Sequence, residues 1–449
     1  MSDKTIDMTQ GKILPALLKF AIPLIFGSLF QQLYTFVDSA IVGNFISNDA
    51  LTAIGVTSSL NFLVLGLTIG SAIGFSIPIS QSVGEGNASE INKNFWNGLY
   101  LTSALGFVIS FGVSPFVRPL LSMMNTSPRF LDMATTYLTI IFIGQISTVL
   151  YNYLAGTIRA FGDSKRPFIF LVISSIINVI LDLLFVLVIP MDVAGVAIAT
   201  VISQIISVIL CVWWIKKKKL IQKYDENGNE LYMPSVQHIK KICLIGLPLG
   251  LEYSICSIGN VVLQSSINSL GDVYATAQYC GERIRSIATI PMESVGTAMA
   301  TYAAQNFGAR KYDRIKDGIK CGLLIQGTYC IISFFALLLL GKPLVYLLLG
   351  NIDTPEALLS IKYLFIISLL FIFHGSLMIF RNAVQGMGYG ISTLASSAME
   401  IIGRSLSGIL AVSLSSFFLI CISAPMAWIL ALICCVILFL VYIKKAQRL

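Results

Sequence analysis

The sequence predicts an all-α membrane protein of about twelve transmembrane helices, arranged as two repeated six-helix halves. Three observations carry that expectation. Charged residues fill 12% of the 449 positions and apolar residues 56%, whereas a soluble chain is about a quarter charged and slightly under half apolar. The apolar excess is gathered into blocks of about 20 residues, long enough to cross a hydrocarbon core of roughly 30 Å. Short matching segments also recur in the two halves at a nearly constant offset.

The blocks come first. Phe168 to Ile189 contain one charge, Asp182, and Trp428 to Ile443 contain none. Helices are expected near 13–37, 50–80, 94–117, 131–154, 166–190, 193–215, 239–266, 273–301, 317–340, 357–381, 390–412 and 416–443. The polar start, Met1 to Gln10, lacks the basic, apolar and small-residue layout of a secretory leader, so the first apolar helix is expected to be retained.

Charge placement sets the orientation. The even connections hold Lys93; Arg159, Lys165 and Arg166; Lys216 to Lys219, Lys223, Lys240 and Lys241; and Arg310, Lys311, Arg314 and Lys316, with Arg381 read as a flank of the next. The odd connections are nearly free of Lys and Arg, with Arg118, Arg129 and Lys342 as exceptions. This asymmetry predicts a multi-pass protein of the plasma (inner) membrane with both termini in the cytoplasm. It also accounts for the net charge of +8 without nucleic acid. Lys216 to Lys219 read as a stop-transfer flank.

The repeat is read from three pairs. Pro23 in Phe20-Ala21-Ile22-Pro23-Leu24 matches Pro248 in Gly246-Leu247-Pro248-Leu249. Gln81-Ser82-Val83-Gly84-Glu85 parallels Gln305-Asn306-Phe307-Gly308-Ala309, and Arg159-Ala160-Phe161-Gly162 parallels Gln385-Gly386-Met387-Gly388. The offsets are 225, 224 and 226. Six helices per half leave both halves facing the same way, related by a pseudo-two-fold axis along the membrane normal, with a binding cavity expected between them. The expected division is an N-terminal lobe over 1–215, a cytoplasmic linker over 216–238 containing Asp225-Glu226-Asn227-Gly228-Asn229, and a C-terminal lobe over 239–449.

Chemistry is sought among intramembrane ionisable groups, which default to functional candidates. Asp38 in the first helix, Asn178 and Asp182 in the fifth and Thr200 in the sixth fall at similar depth by the helical rise of 1.5 Å per residue. Two carboxylates, an amide and a hydroxyl make an oxygen set suited to Na⁺ or to a proton. Gln31 and Tyr34 share the Asp38 face and are candidate pocket residues. The second half carries Glu252, Glu282, Arg283, Arg285, Glu293, Glu400 and Arg404. These predict a structural or gating network in which Glu252 pairs with Arg283 or Arg285 and Glu400 with Arg404 one turn away. His374 reads as a hydrogen-bonded core histidine. Two histidines and nine scattered cysteines predict no enzyme centre, no disulfide, no cofactor and no metal beyond Na⁺ at Asp38, Asn178, Asp182 and Thr200. No phosphate-binding loop is present.

At these residues the chain resembles the multidrug and toxic compound extrusion (MATE) family along nearly its whole length. Gln31-Gln32-Leu33-Tyr34, Asp38-Ser39-Ala40-Ile41-Val42-Gly43, Gln81 to Gly86, Asn178 to Asp182 and Gln305 to Ala309 carry the resemblance. It implies secondary antiport, with an amphipathic or cationic small molecule leaving as Na⁺ or H⁺ enters, by alternating access between two lobes of a monomer in contact with membrane lipid. It places Asp38, Asn178, Asp182 and Thr200 at the cation site of the DinF-like branch and Gln31 and Tyr34 beside it. The NorM-like branch has acids in helices 7 and 10; here helix 10 has none, and Glu252 lies about a turn from the helix 7 position. A lipid-linked sugar flippase of the same superfamily is the alternative, with Arg283 and Arg285 as a possible cationic lining.

Overall fold

The structure, a computed structural model, describes residues 5–225 and 227–448. Met1 to Lys4 and Leu449, at the ends of the two expected lobes, and Glu226 of the expected linker lie outside the described residues. The chain is helical almost throughout. Its long segments are α1 (Ile13–Phe45), α2 (Asn48–Glu85), α3 (Ala88–Gly112), α4 (Pro128–Ile143 with Gln145–Ala160), α5 (Lys165–Leu183) and α6 (Asp192–Lys217) in the first half. The second half has α7 (Val236–Leu270), α8 (Asp272–Gly308), α9 (Tyr312–Leu349), α10 (Pro355–Leu369 with Phe371–Gly386), α11 (Gly390–Ser413) and α12 (Ser423–Arg448).

Two expected single helices, 131–154 and 357–381, are bent rods: α4 turns by 42° and α10 by 48°. The breaks fall at Gly144 and Leu370, in the same frame as the repeats, but apolar composition runs through both and hides them from a sequence reading. Among the described residues seven helices alone are long and apolar enough to cross a membrane, and the two bent pairs make nine. Helices α7, α8 and α11 complete the twelve, and these three carry Glu252, Glu282, Arg283, Arg285, Glu293, Glu400 and Arg404.

The repeat has a backbone basis in its turns. Gly162 and Gly388, partners in the fourth connections, hold φ of 83° and 92°, and Gly86 and Arg310, partners in the second, hold 71° and 58°. These left-handed residues close the helix ends at those connections. Arg118 and Arg129, exceptions to the charge asymmetry, are each neutralised: Arg118 pairs with Asp132 and Arg129 with Asp49, both at 2.7 Å.

The helices segregate into two compact units, one of residues 1–6 and 26–251, the other of 7–25 and 252–449. The division falls at Ile25–Phe26 within α1 and at Leu251–Glu252 within α7, each shortly after the helix proline, Pro23 or Pro248. Proline removes an intrahelical hydrogen bond there. Contacts therefore part the chain inside two helices.

In the first unit, Phe75, Ile79, Phe95, Tyr153, Leu154 and Ile158 form one buried core, and Val64, Leu121, Leu138 and Phe142 belong to another. The Tyr153 hydroxyl donates to the Phe95 carbonyl at 2.7 Å, and its ring lies on Gly98, where a Cβ would collide with it. A pinned, fully buried ring has nowhere to go, so Gly98→Ala is expected to cost about 1–3 kcal/mol of stability. Thermal unfolding of the detergent-solubilised protein checks this.

The segment 218–235 is a docked strap, not a free linker. Asn92, Trp96, Asn97 and Tyr100, on one face of α3, hold its backbone: Trp96 Nε1 donates to the Gln222 carbonyl at 3.0 Å, Tyr100 to the Tyr232 carbonyl at 2.8 Å, and Asn97 Oδ1 accepts from the Ser235 amide at 2.8 Å. At its tip Asp225 accepts from the Asn229 side chain and from the Asn227 and Asn229 amides. The Asn229 side chain, then its amide, hold the Asp225 carboxyl below its usual range. A carboxylate with a lowered folded-state pKa stabilises above its unfolded pKa and loses that contribution as pH falls through the folded value. The tip is thus expected to open in acid, and Asp225→Ala to open it at neutral pH. Faster trypsin cleavage after Lys223 in that variant is the check.

In the second unit, Ile284, Met292, Ile367, Phe371, Leu377, Ile420 and Trp428 belong to one continuous core. The segment before α1 joins this unit: Met8 is fully buried, its amide donates to Gln305 Oε1 at 3.1 Å, and its carbonyl accepts from Asn306 Nδ2 at 3.0 Å.

Candidate functional site

The first unit brings Asp38 of α1 to Asp182 of α5. Their carboxyls lie near enough to share one proton in a hydrogen bond. Asp182 is fully buried and Asn178, one turn before it, is 1% exposed. Among the described residues no donor reaches either Asp182 oxygen or Asp38 Oδ1, and the Asn178 amide has neither donor nor acceptor partner. Buried polar atoms left unsatisfied in this way are costly and uncommon. Like charges in contact repel, so the pair is stable with a proton or a metal cation between its oxygens. Buried oxygens without partners, from carboxyl and amide groups, fit Na⁺ or a proton; Na⁺ here would be cargo.

Thr200 stands differently. Its hydroxyl donates to the Val196 carbonyl at 3.0 Å, so toward an ion it offers only lone pairs. Tyr34 is half-buried and lies with the side chains of Gln31 and Thr35 and the charges of Asp38 and Asp182. Gln31 itself is exposed.

Three features of this region escape a sequence reading. Tyr137 of α4 lies within electrostatic range of Asp38, Tyr34 and Asp182. A π-turn, Leu184–Val188, follows Asp182 by two residues, and such turns are frequent at functional sites. Ile41, Val42, Val186, Val193 and Val196 form a buried apolar cluster, about a turn along from Asp38, Asp182 and Thr200 toward the 45, 188 and 192 ends.

The second unit corrects the expected pairing. Glu252 does not meet Arg283 or Arg285. Its partner is Arg381, whose Nη1 lies 3.2 Å from Glu252 Oε1, while Arg381 Nη2 pairs with Glu400. Arg404 pairs with Glu400 at 3.1 Å, as their spacing predicts, and Gln385 Nε2 donates to Glu252 Oε2 at 2.9 Å. Arg381, read from sequence as a membrane flank, is 7% exposed. Its place near the end of α10 gives a flank by count, but packing sets its guanidinium between two buried carboxylates. Two Glu and two Arg make a neutral, buried chain across α7, α10 and α11.

Helix α8 pairs its own charges. Arg285 Nε donates to Glu282 Oε2 at 2.7 Å and its Nη2 pairs with Oε1; Tyr363 adds a hydrogen bond to Glu282 at 2.8 Å. Arg283 is exposed and rests on the Tyr279 ring, 5.2 Å from its centroid. His374 is not hydrogen-bonded: both ring nitrogens are buried without partners among the described residues, and the ring lies 4.7 Å from Trp428. The two rings meet at a tilt of 48°.

Comparison with known proteins follows from this geometry. The MatE family model matches residues 23–184 and 248–406. The chain is similar to "Probable multidrug resistance protein YpnP" of Bacillus subtilis, at 29% identity over 87% of this chain and 86% of that protein. It is 22% identical to "Multidrug export protein MepA" of Staphylococcus aureus over 85% and 83% of the two chains, and 23% identical to an "FAD transporter" of Shewanella oneidensis over 74% and 73%. Among solved structures, an outward-facing multidrug resistance MATE family transporter of the MOP superfamily superposes with a TM-score of 0.91 at 20% identity, covering 100% and 99% of the chains. That likeness establishes a fold of twelve helices in two bundles.

Proposed function

Because the chain belongs to the MatE family of membrane transporters, we propose that it is an efflux antiporter that exports drug-like small molecules while Na⁺ or H⁺ moves inward. It is a multi-pass transporter and not an enzyme. The observation that carries the coupling reading is the buried Asp38–Asp182 pair with the unpartnered Asn178 amide. The relatives named as a probable multidrug resistance protein and a multidrug export protein support the substrate class. In this reading the first-unit carboxylates supply the coupling chemistry, at the positions of the DinF-like set.

In this reading an ion entering from outside settles between Asp38 and Asp182 and relieves their repulsion. The occupied pair packs differently from the empty one, and that difference biases the units toward release of substrate, then toward inward opening. Coupling requires only that ion and substrate prefer different states. Alternating access, a plasma-membrane location and cytoplasmic termini belong to the same proposal. The flippase alternative is set aside: Arg285 is paired with Glu282, Arg283 lies on Tyr279, and the relatives named above are drug exporters and an FAD transporter.

The test is ethidium accumulation in cells expressing the protein. Expression is expected to lower accumulation, and dissipating the Na⁺ and proton gradients to restore it. Undiminished export without either gradient would overturn the antiport reading.

A further inference from the structure

A rim of cations surrounds the indoles of the first unit. Trp96 lies near the start of α3, and Trp213 and Trp214 lie near the end of α6. Lys217 Nζ stands 4.6 Å from the Trp213 ring centroid, and Lys223 Nζ, on the strap, 5.9 Å from that of Trp96. The buried Trp214 ring takes two cations, Arg166 at 4.2 Å and Lys218 at 5.1 Å. Trp213 is 49% exposed, where the apolar run of α6 gives way to Lys216 and Lys217. Indoles favour a membrane boundary and attract cations to their faces. Packing on indoles therefore fixes where these cations stand. A stop-transfer flank needs only charge; a binding site needs charge at fixed places.

The surplus of charge decides what such a rim takes. Lys216, Lys217, Lys219 and Lys223 are exposed, and none has an ion-pair partner among the described residues. The described acids of the same region are engaged. Glu90 meets His238 at 3.1 Å and Lys93 at 3.8 Å. Asp225 accepts from the Asn229 side chain and two backbone amides, and Asp163 from the Lys165 and Arg166 amides. Glu230 lies with Tyr232. Fixed, uncompensated cations beside hydrocarbon suit an anion anchored at the same level, the phosphate of a phospholipid. Lys clusters just outside a span attract anionic headgroups. By contrast Lys444, Lys445 and Arg448, at the end of α12, have no indole beneath them among the described residues.

We infer that Lys216, Lys217, Lys219 and Lys223, set around Trp213 and Trp96, form a binding site for the headgroup of an anionic phospholipid. Trp96 also donates to the Gln222 carbonyl at 3.0 Å, so the bound lipid and the docked strap share one indole. Tryptophan quenching of the full chain in phosphatidylcholine vesicles tests this, with brominated phosphatidylglycerol or brominated phosphatidylcholine added. Three of the four tryptophans belong to this rim. Wild-type protein is expected to prefer brominated phosphatidylglycerol by about fivefold or more in relative affinity. The triple variant Lys217→Gln, Lys219→Gln, Lys223→Gln is expected to lose most of that preference. The triple variant Lys444→Gln, Lys445→Gln, Arg448→Gln removes equal charge elsewhere and is expected to keep it. Wild-type protein without a preference would overturn the site, as would a preference retained in the first triple variant. Equal loss in the two triple variants would reduce the effect to diffuse attraction and also overturn it. A preference abolished by millimolar inorganic phosphate would mark a small-anion site and overturn the lipid assignment.

Discussion

Asp182→Asn is expected to abolish export while leaving folded protein in the membrane. The substitution keeps the shape of the side chain and removes its charge, and the amide supplies a donor to the neighbouring Asp38 carboxylate. The ion then has no repulsion to relieve, so its binding no longer favours one state. Asp38→Asn acts on the same pair from the other helix and is expected to have the same effect. The two changes together are expected to cost no more than either alone, because groups that act as a unit are not additive. Drug susceptibility of expressing cells, with membrane-fraction blots for protein level, checks all three variants. Wild-type resistance in either single variant would break the link between the carboxylate pair and export.

Removing Arg381 is expected to act on stability and not first on transport. The guanidinium lies between Glu252 and Glu400, and all three groups are buried. Breaking a buried pair by deleting one partner leaves uncompensated charge and costs about 3–5 kcal/mol. Arg381→Met is therefore expected to lower the yield of monodisperse protein sharply. Combining it with Glu252→Gln and Glu400→Gln is expected to restore much of that loss, since a neutral core replaces the orphaned carboxylates. Arg381→Lys is expected to rescue poorly, because a single ammonium lacks the planar fork that reaches two carboxylates. Thermal unfolding of the series measures each step. A full-stability Arg381→Met protein would contradict the assignment of this chain of charges as a structural lock.

Sequence revealed the frame of this molecule well and its local detail unevenly. Long helices and a repeat offset near 225 are properties of composition and spacing, and both survive folding. The breaks at Gly144 and Leu370 are not, because a bend changes no hydropathy. Depth arithmetic brought Asp38, Asn178 and Asp182 to one level, since straight helices crossing one slab convert residue number into height. Rotation about the helix axis is not fixed by height, which is why Tyr137 went unseen and Thr200 spends its hydroxyl on Val196. In the second half the pairing failed for the same reason: Glu252 has several cations at comparable depth, and only packing selects Arg381. Residues 218–235 read as a polar linker because strap and linker share a composition; the α3 face that holds the strap reads as an ordinary helix start.

The central claim is that an ion moving inward through the Asp38–Asp182 pair drives export. Purified protein in liposomes, loaded with ethidium and given either a Na⁺ gradient or a pH gradient in turn, measures this directly. Wild-type protein is expected to move ethidium against the direction of one imposed gradient, and Asp182→Asn protein to move none under either. Equal gradient-driven transport by wild-type and Asp182→Asn protein would contradict the account.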